Sequence, residues 1–541
     1  MSLAAIIFPA KRRRPLWLYL VPPVLGLLLL AHIHSFNIPS TLLPYTANSP
    51  THHDDQDHPS AASHLESKPV QVFWKSLQTA LHAAEPALPS PLRVTVGPPL
   101  SDAELDSSPS SKAVTNDTPR RNLIALDDTS LESLTVQHAA FVSAVRFTLS
   151  EKLPYWKGTC GVVMTAGGGY LGTALTSILM LRRSGSQLPV HLFLDTRAER
   201  AAAAGFCDGI LRRIAVECLV VEDLLLASNT NAAIRHYQYK VLSILLSPFQ
   251  QTLYLDSDAW PIHDPEPLFT SEPFASHGLV TWPDFWLETA SPSYYQIANA
   301  TLPPPRPLTR RSSESGILLY DKATHADDLL LATYYNWFGP DCFYPLLSQG
   351  APGEGDKETF LHAAVALAQP FWDVRTPVTV LGRWINGSFE TATMRQADPA
   401  EDFRLFNATA ARDHAREDPE ESRRKAAKTF FIHHNLFKLD VGAVGAASDP
   451  MFRLDEQGRA GRLWGPGGGG QLIEDSGFDV ERRMWDVVLA AKACSSASQV
   501  PEDANTDDTN DDGCGRLVRW YEAVFGEAPP LRSGSASAAW R

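Results

Sequence analysis

Two aspartates that follow a short apolar run are the residues of this sequence most suggestive of chemistry. Leu253-Tyr254-Leu255 is followed directly by Asp256-Ser257-Asp258 and then by a proline-rich segment. Apolar residues bounded by turn-forming residues are typical of a buried strand, and a proline-rich segment is typical of a loop. The two carboxylates are therefore predicted at the mouth of a central strand, where ligands bind in open α/β sheets.

The D-x-D pair indicates a site for a divalent cation. Neighbouring carboxylates repel each other unless a cation lies between them, and Mg²⁺ or Mn²⁺ prefers oxygen ligands. The chemistry indicated is a metal that bridges the oxygens of a bound diphosphate. A solvated, Asp-rich turn is one alternative. The phosphatase pattern D-x-D-x-T/V is another, but Trp260 stands where that pattern requires Thr or Val.

Composition limits the class of protein. The 541 residues exceed one average domain, and a hydrophobic content of 44% is enough for a sizeable core. The net charge of −14 argues against nucleic acid as a partner, because that would need a basic face. The six cysteines have no C-x-x-C spacing, which disfavours a zinc site. Their even number fits one or more disulfides in an oxidising compartment, with the pairing left open.

The N-terminal region predicts a membrane anchor. A basic cluster at Lys11–Arg14 precedes the uncharged, mostly apolar run Leu16–Ile33, which would span about 27 Å as a helix. The positive-inside rule then puts the N-terminus in the cytosol and the remainder in a lumen. A cleaved signal peptide is the alternative. Four N-glycosylation sequons fit the lumenal address, at Asn116, Asn299, Asn386 and Asn407.

These signals divide the chain into four predicted parts. They are a cytosolic tail (1–15), a transmembrane signal anchor (16–33), a mostly disordered stem (34–135) and a lumenal domain (136–541). The stem is rich in Pro, Ser, Ala and His, a composition that cannot bury a core. Within it, Val70 to Ala84 has helical spacing and is predicted to dock on the domain. Gly465–Gly470 and other charged or Gly-rich runs are interpreted as surface excursions.

The folded domain opens with a βαβ pattern. The strand Cys160–Thr165 is followed by a glycine-rich run, the helix Thr173–Arg183 and the strand Val190–Leu194, which ends at Asp195. Such an opening predicts an α/β fold with parallel strands.

The glycine-rich run admits a competing interpretation. Gly167, Gly169 and Gly172 fit G-x-G-x-x-G, and Asp195 lies at a suitable distance for a ribose contact, as in a dinucleotide-binding oxidoreductase. The D-x-D pair has no role in hydride transfer, so this interpretation is disfavoured. The glycines can also serve any nucleotide, or merely allow a tight strand-to-helix turn.

Two later motifs add charged groups. Lys240, in a predicted helix over Tyr237–Leu246, is a candidate for a diphosphate contact, with a solvated lysine as the equal alternative. Gly353-Glu354-Gly355-Asp356-Lys357 opens a predicted helix over Thr359–Leu367. Its acids are expected either to cap that helix or to contact sugar hydroxyls.

The last motif combines a strand with histidines and a lysine. The run from Thr429 leads into His433 and His434, and Lys438 follows. A histidine here is a candidate third metal ligand, and Lys438 is a candidate phosphate contact. Upstream, Pro283–Trp286 is interpreted as an aromatic loop suited to sugar rings, although aromatic residues are more often core.

Four ordered motifs resemble a known family. YLDSDAWPIHDPEPLF, ESGILLYDK, GEGDKETF and FIHHNLFKLD, behind one N-terminal anchor, are similar to the fungal Golgi α-mannosyltransferases of the mannan outer-chain family, which is glycosyltransferase family 71-like. The similarity runs from about Gly161 to Leu439 and is closest to the α-1,2 members, with the α-1,3 members as a close alternative. It implies a GT-A fold (a Rossmann-like mixed sheet flanked by helices), GDP-mannose as donor and Mn²⁺ or another divalent cation.

The resemblance also implies roles for individual residues. Asp258 would ligate the metal, Asp256 would contact metal or ribose, and His433, preferred to His434, would complete the metal shell. Gly167, Gly168 and Gly169 would lie along the nucleotide, where Asp195, Lys240 and Lys438 are the other predicted contacts. Asp356 would lie beside the transferred mannose or the attacking hydroxyl, with Glu354 and Lys357 as the other catalytic candidates.

The activity implied is transfer of mannose from GDP-mannose to a mannose-terminated glycan, with retention at the anomeric carbon. A double displacement would need a carboxylate nucleophile, Asp356 or Glu354, and front-face attack by the acceptor is the open alternative. A catalytically silent, glycan-binding Golgi subunit is the alternative of a different class. The expected setting is the Golgi membrane, with a single-pass type II topology and a Golgi mannosyltransferase complex as a further partner.

Overall fold

The computed structural model describes residues 60–98, 101, 105, 121–223, 234, 236–301, 310–410, 426–446, 449–492 and 513–526. The predicted anchor at 16–33 and the Asn116 sequon lie outside these residues. Within them, no helix combines the length and the apolar character that crossing a membrane requires.

The described elements alternate between strands and helices, as an α/β chain should. The helices are α1 Ala61–Leu65, α2 Lys68–Ala83, α3 Asp128–Ala144, α4 Leu171–Arg183, α5 Arg197–Ala202, α6 Gln238–Leu246, α7 Phe274–His277, α8 Pro292–Ile297, α9 Ala326–Trp337, α10 Tyr344–Ser348, α11 Thr359–Leu367, α12 Pro399–Ala410, α13 Pro466–Ser476, α14 Val480–Ala491 and α15 Cys514–Phe525. The strands are β1 Trp156–Thr165, β2 Val190–Leu194, β3 Val216–Val220, β4 Phe249–Leu255, β5 Ala259–Pro261, β6 Leu279–Leu287, β7 Arg311–Asp321, β8 Trp372–Asp373, β9 Thr379–Ile385, β10 Ser388–Ala397 and β11 Thr429–His433.

Seven strands form a mixed sheet in the order β3-β2-β1-β4-β7-β6-β8. Of these seven, β7 alone runs antiparallel to its neighbours, β4 and β6. All five residues of β2 are buried, as expected for a parallel strand that helices cover on both faces. The predicted α/β class is confirmed.

The order of the parallel strands creates a crevice next to β1. The chain runs outward from β1 to β2 and β3, and then returns through α6 to place β4 on the other side of β1. Ligands of open α/β sheets bind at such a reversal, outside the carboxyl ends of the strands. The glycine-rich turn after β1 and the two aspartates after β4 therefore lie at the same edge.

A second, four-stranded antiparallel sheet is joined to the first directly after the aspartates. Its order is β5-β11-β10-β9, and β5 begins at the residue that follows Asp258. Ala259 pairs with His433 at the end of β11. The last motif of the sequence is thereby brought beside the D-x-D pair.

Part of the predicted stem is folded onto the domain. The helix expected over Val70 to Ala84 is α2, and its apolar face enters the main core, where Trp74 lies 6.1 Å from the ring of Trp337. The predicted boundary at 136 falls inside α3. The composition of the whole segment is linker-like, but apolar side chains at helical spacing supply a face to bury: Val70, Phe73, Trp74, Leu77 and Leu81.

Three further segments differ from the sequence interpretation or complete it. The run Gly465–Gly470 is not a surface excursion, because it caps and begins α13, which packs against β9. The predicted aromatic loop Pro283–Trp286 is part of β6, and both of its aromatic side chains are buried. Cys207 and Cys218 form a disulfide, whereas Cys160 and Cys342 are free thiols.

Buried neutral histidines predict acid sensitivity. His138 Nε2 lies 2.8 Å from the Tyr335 hydroxyl and His191 Nδ1 lies 2.9 Å from Ser247 Oγ. Burial lowers the pKa of His138 to about 4 and that of His191 to about 3, from 6.5. The unfolded chain therefore takes up protons first as the pH falls. As the pH falls from 6.5 to 4, we expect the protonation of each histidine in the unfolded chain to lower the free energy of unfolding by about 3 kcal/mol.

Denaturant unfolding at several pH values measures this loss. His138→Gln should reduce the slope of unfolding free energy against pH below 6.5, whatever its effect at pH 7. A slope that the substitution leaves unchanged would contradict the assignment.

Candidate active site

The D-x-D pair lies where β4 ends. The Asp256 amide donates to the Gly316 carbonyl (2.8 Å), and the Tyr254 hydroxyl donates to Asp256 Oδ1 (2.8 Å). Asp258, only 3% exposed, lies deeper, next to the start of β5. Strand pairing and a neighbouring tyrosine thus fix both carboxylates at the carboxyl edge of the sheet.

His433 joins the two sheets at this point. Its Nε2 lies 3.2 Å from Asp258 Oδ1 and 4.0 Å from Asp256 Oδ2, and its Nδ1 lies 3.2 Å from Glu314 Oε1. Burial opposes the charged form, but Asp258 and Glu314 outweigh it and raise the pKa of His433 to about 10. In this arrangement the imidazolium neutralises the surrounding carboxylates.

Lys438 supplies a second cation to Asp258. Its Nζ contacts Asp258 Oδ2 directly, and its side chain remains 40% exposed. Burial alone would raise the pKa of Asp258. His433 and Lys438 instead hold that pKa below its usual value, so the carboxylate is ionised.

Lys240 holds two other carboxylates together. Its buried Nζ lies 3.2 Å from Asp256 Oδ1 and 3.2 Å from Asp356 Oδ2, and it donates to the carbonyl (2.8 Å) and hydroxyl (2.9 Å) oxygens of Ser315. Burial disfavours its charge, but Asp256 and Asp356 raise the pKa of Lys240 above its ordinary value. Predicted as a diphosphate contact, Lys240 here connects the D-x-D pair to Asp356.

Glu314 completes a group of possible metal ligands. Asp256, Glu314 and His433 each offer one ligand atom, and these atoms all lie within 4.8 Å of one another. Glu314 Oε2 is buried and has no hydrogen-bond partner among the described residues, an arrangement that a bound cation would satisfy. A side chain at Gly316 would crowd this group, since its Cβ would lie 2.5 Å from His433 Cε1. The residues present fit a divalent cation with oxygen and imidazole ligands, and His433 would release its proton when the cation binds.

The neighbouring histidine is placed differently. His434 stacks on Trp260 at 4.9 Å between ring centroids, and its Nδ1 lies 3.2 Å from the Phe437 carbonyl. Burial lowers its pKa to about 3, so the ring stays neutral. Of the two histidines, His433 is the one that the strand places among the acids.

Two of the three residues predicted as catalytic lie outside the cluster. Glu354 is exposed and accepts from the Gly350 amide (2.9 Å), while Lys357 pairs with Asp284 (2.9 Å) and donates to the Pro352 carbonyl. Asp356 is the member of this motif that reaches the cluster. Burial raises its pKa, and Lys240 opposes that change.

The predicted nucleotide contacts lie beside the aspartates. Gly168 and Gly169 have positive φ and open space where a side chain would be. Gly167 has no room for a Cβ, which would overlap the Asp195 carboxylate. Burial, with Glu199 adding to it, raises the pKa of Asp195 to about 6. The Thr165 and Tyr254 hydroxyls, 3.1 Å apart, connect the end of β1 to Asp256.

The fold and this cluster define an α/β protein with a cation-competent acidic site at the switch point of a mixed sheet. A family model described as "Mannosyltransferase putative" matches residues 159–310 and 306–398. This match covers under half of the chain, which is therefore similar to that mannosyltransferase family. The resemblance of its motifs to the mannan outer-chain mannosyltransferases is confirmed.

Several fungal proteins are similar to the chain. Alpha-1,2-mannosyltransferase MNN21 of Candida albicans is 34% identical over 383 residues, which are 60% of this chain and 56% of that protein. Alpha-1,2-mannosyltransferase MNN2 of Saccharomyces cerevisiae is 32% identical over 357 residues, 58% and 59% of the two chains. The chain thus spans a little over half the length of these relatives.

Solved glycosyltransferase structures are more distant. The galactosyltransferase LgtC in complex with donor and acceptor sugar analogs is 14% identical, covers 59% of this chain and 95% of its own, and superposes with a TM-score of 0.31. The glycosyltransferase GlyE of Streptococcus pneumoniae TIGR4 is also 14% identical, covers 40% and 45%, and has a TM-score of 0.26. Likenesses at such TM-scores imply nothing about activity.

Sequence reasoning missed two members of the cluster. Glu314 and Ser315 stand in a recognised motif, but no role was predicted for either side chain. Their proximity to Asp256 depends on the antiparallel pairing of β7 with β4, in which Ile317 lies opposite Leu255. One signal was available in the sequence: Glu314 shortly precedes the apolar run Ile317–Tyr320, which suggests a carboxylate near the edge of a strand.

Proposed function

We propose that the protein is a metal-dependent, retaining α-1,2-mannosyltransferase with a GT-A catalytic domain. It transfers mannose from GDP-mannose to mannan and N-glycan outer-chain acceptors in protein glycosylation and cell-wall mannoprotein synthesis. The observation that carries the proposal is the cluster of Asp256, Asp258, Glu314 and His433 at the β1/β4 switch point, in which only Asp256 is partly exposed. Similarity to the mannosyltransferase family supports mannose as the transferred sugar.

The cluster suits a diphosphate leaving group. Asp256, Asp258 and His433, with Glu314, would hold a divalent cation such as Mn²⁺. When bound, that cation offsets negative charge on the departing diphosphate. Lys438, at the rim, is proposed to bind the diphosphate, and the backbone of Gly167–Gly169 to follow the nucleotide.

Asp356 is the residue proposed to act at the sugar. It is buried, ion-paired to Lys240 and within 3.3 Å of Ser315 Oγ, so its carboxylate is held in one place. Positioning of this kind suits orientation of the acceptor hydroxyl or of the transferred mannose. Double displacement through a carboxylate and front-face attack both give retention and both stay open.

The setting proposed is the Golgi lumen, with the chain held as a single-pass type II membrane protein. The three sequon asparagines that the structure describes, Asn299, Asn386 and Asn407, are exposed, which is compatible with lumenal glycosylation. A Golgi mannosyltransferase complex is the further partner proposed.

Product analysis tests the activity. The full chain is incubated with Mn²⁺ and a panel of sugar nucleotides, with and without an α-1,6-mannose oligosaccharide. A new α-1,2-linked mannose that requires both GDP-mannose and metal supports the proposal, whereas an α-1,3 linkage would replace the linkage proposed. Absence of turnover with every donor, in folded protein, would favour the non-catalytic, glycan-binding subunit.

Glu314→Gln should weaken the metal site without unfolding the protein. The substitution keeps the shape of the side chain but removes its charge, so we expect Mn²⁺ affinity to fall about 10- to 100-fold. Mn²⁺ titration followed by electron paramagnetic resonance measures this without reference to activity. Glu354→Gln is the matched control, since Glu354 lies outside the cluster. Equal Mn²⁺ affinity in the Glu314 variant and the wild type would remove Glu314 from the site.

A further inference from the structure

A second cleft lies at the outer edge of the four-stranded sheet. It has a volume of about 580 Å³ and opens between the end of β9, the segment 453–465 and the start of α13. The side chains and glycines that shape it include Arg383, Trp384, Arg453, Arg459, Trp464 and Gly469. None of these residues belongs to the acidic cluster.

Trp384 presents an aromatic face to this cleft. Its side chain is 66% exposed, and its ring contact with Phe389, 5.6 Å between centroids, is edge-on. A large aromatic side chain left this open offers an apolar plane beside polar groups, the combination that stacks on a sugar ring. Gly470, which also lines the cleft, has open space where a side chain would be.

The arginines of the cleft already have acidic partners. Arg383 pairs with Glu390 at 3.0 Å, Arg459 pairs with Asp455 at 2.8 Å, and Arg462 pairs with Asp479. Arg453 lies 3.6 Å from Glu390, which it shares with Arg383, so most of the charge is compensated and the cleft is a weak anion site. Arg383 also donates to the Met451 and Pro450 carbonyls, so the N–H donors open to a ligand are those of the more exposed Arg453 and Arg459. A neutral, polyhydroxylated ligand matches such donors better than a phosphate does.

The strand register connects this cleft to the active site. His433 pairs with Met394, and Met394 pairs with Val380 on β9. Trp384 lies four residues beyond Val380, so strand alternation puts it on the same side of the sheet as His433. Arg383 and α13, which packs on Leu381, lie on the other side, so the cleft opens around the outer edge of β9. Trp384 is two strand spacings of about 4.8 Å and four residues of about 3.4 Å away from His433, so the two residues lie roughly 17 Å apart. That distance corresponds to several linked sugar rings.

We propose that this cleft is a distal subsite for the acceptor glycan. It binds neutral mannose units several positions away from the unit being extended, with one unit stacked on Trp384. The inference rests on the proposed function for the identity of the sugar. It adds a binding site to the acidic cluster and predicts that longer acceptors bind more tightly.

A binding experiment tests the subsite apart from catalysis. The full chain carrying Asp258→Asn, which is expected not to turn over, is titrated with linear mannose oligosaccharides of increasing length by calorimetry. We expect affinity to rise with length, and Trp384→Ala to lower the affinity for the longest about tenfold. Trp384→Phe should restore part of the loss. Phe147→Ala, which removes another exposed aromatic side chain (84%), is the matched control and should change nothing.

The outcomes separate the subsite from the proposed function. Unchanged affinity for the longest oligosaccharide in Trp384→Ala overturns the subsite, as does displacement of the oligosaccharide by inorganic phosphate. Length-dependent binding that is lost in Trp384→Ala supports the subsite even where the wild type transfers no mannose, which would refute the transferase proposal alone.

A glycan on the chain itself is the competing occupant. Asn386, in the sequon that follows Trp384, is exposed at the turn between β9 and β10. The titration is therefore repeated in Asn386→Gln, where the same loss on Trp384→Ala is expected. Oligosaccharide binding that arises only after the sequon is removed would show that the cleft holds the chain's own glycan, and would overturn the proposal.

Discussion

Asp258→Asn is expected to lower kcat for mannose transfer by about a thousandfold or more, because the proposed metal loses a charged ligand. The carboxylate is buried and ion-paired to both His433 and Lys438. Asparagine keeps the size of the side chain and one acceptor oxygen, so the loss reports charge rather than packing. Initial rates at saturating GDP-mannose and several Mn²⁺ concentrations measure it.

A nearby aspartate provides the control for this substitution. Asp264 follows on the same segment and accepts from the Glu266 amide, with no contact to the cluster. Asp264→Asn should keep wild-type kcat and the same thermal unfolding temperature. If Asp258→Asn retained full activity and full metal dependence, the metal mechanism proposed for this site would have to be abandoned.

Lys240→Met is expected to destabilise the folded protein strongly. It removes the cation between Asp256 and Asp356 and leaves two carboxylates facing each other, one of them buried. Breaking a buried ion pair in this way typically costs about 3–5 kcal/mol. Denaturant unfolding at pH 7 measures the loss.

A double substitution separates charge from packing at this position. Asp356→Asn in the Lys240→Met background removes one of the two repelling carboxylates. We expect it to recover about 1–3 kcal/mol, so that the double variant is more stable than Lys240→Met alone. Two additive, destabilising effects would show that Lys240 acts through its packing and not through its charge.

Several strands and helices were predictable because short sequence patterns specify them. The strand Val190–Leu194 has the predicted bounds, and the helix Thr359–Leu367 begins and ends as predicted. Continuous apolar runs, glycine turns and helical spacing depend on neighbours within a few residues. The same patterns placed Asp256 and Asp258 directly after a strand.

Two segments were predicted wrongly because their overall composition hides the local pattern that forms a helix. The Pro- and Ser-rich region before residue 136 reads as a linker around one predicted docking helix, yet the boundary placed at 136 falls inside α3. The glycine-rich run near Gly467 reads as a loop, yet it forms the first turn of α13, since Pro466 at the start of a helix and packing against β9 outweigh its low helix propensity.

By itself, the sequence determined the resemblance to the mannosyltransferases, the α/β class and the two aspartates at the end of a strand. Only the tertiary structure decided which other groups meet them. Glu314 arrives through the antiparallel pairing of β7, His433 through the register of β11 with β5, and Asp356 through its ion pair with Lys240. These contacts join residues far apart in the chain, and no local pattern encodes which strand edges will become neighbours.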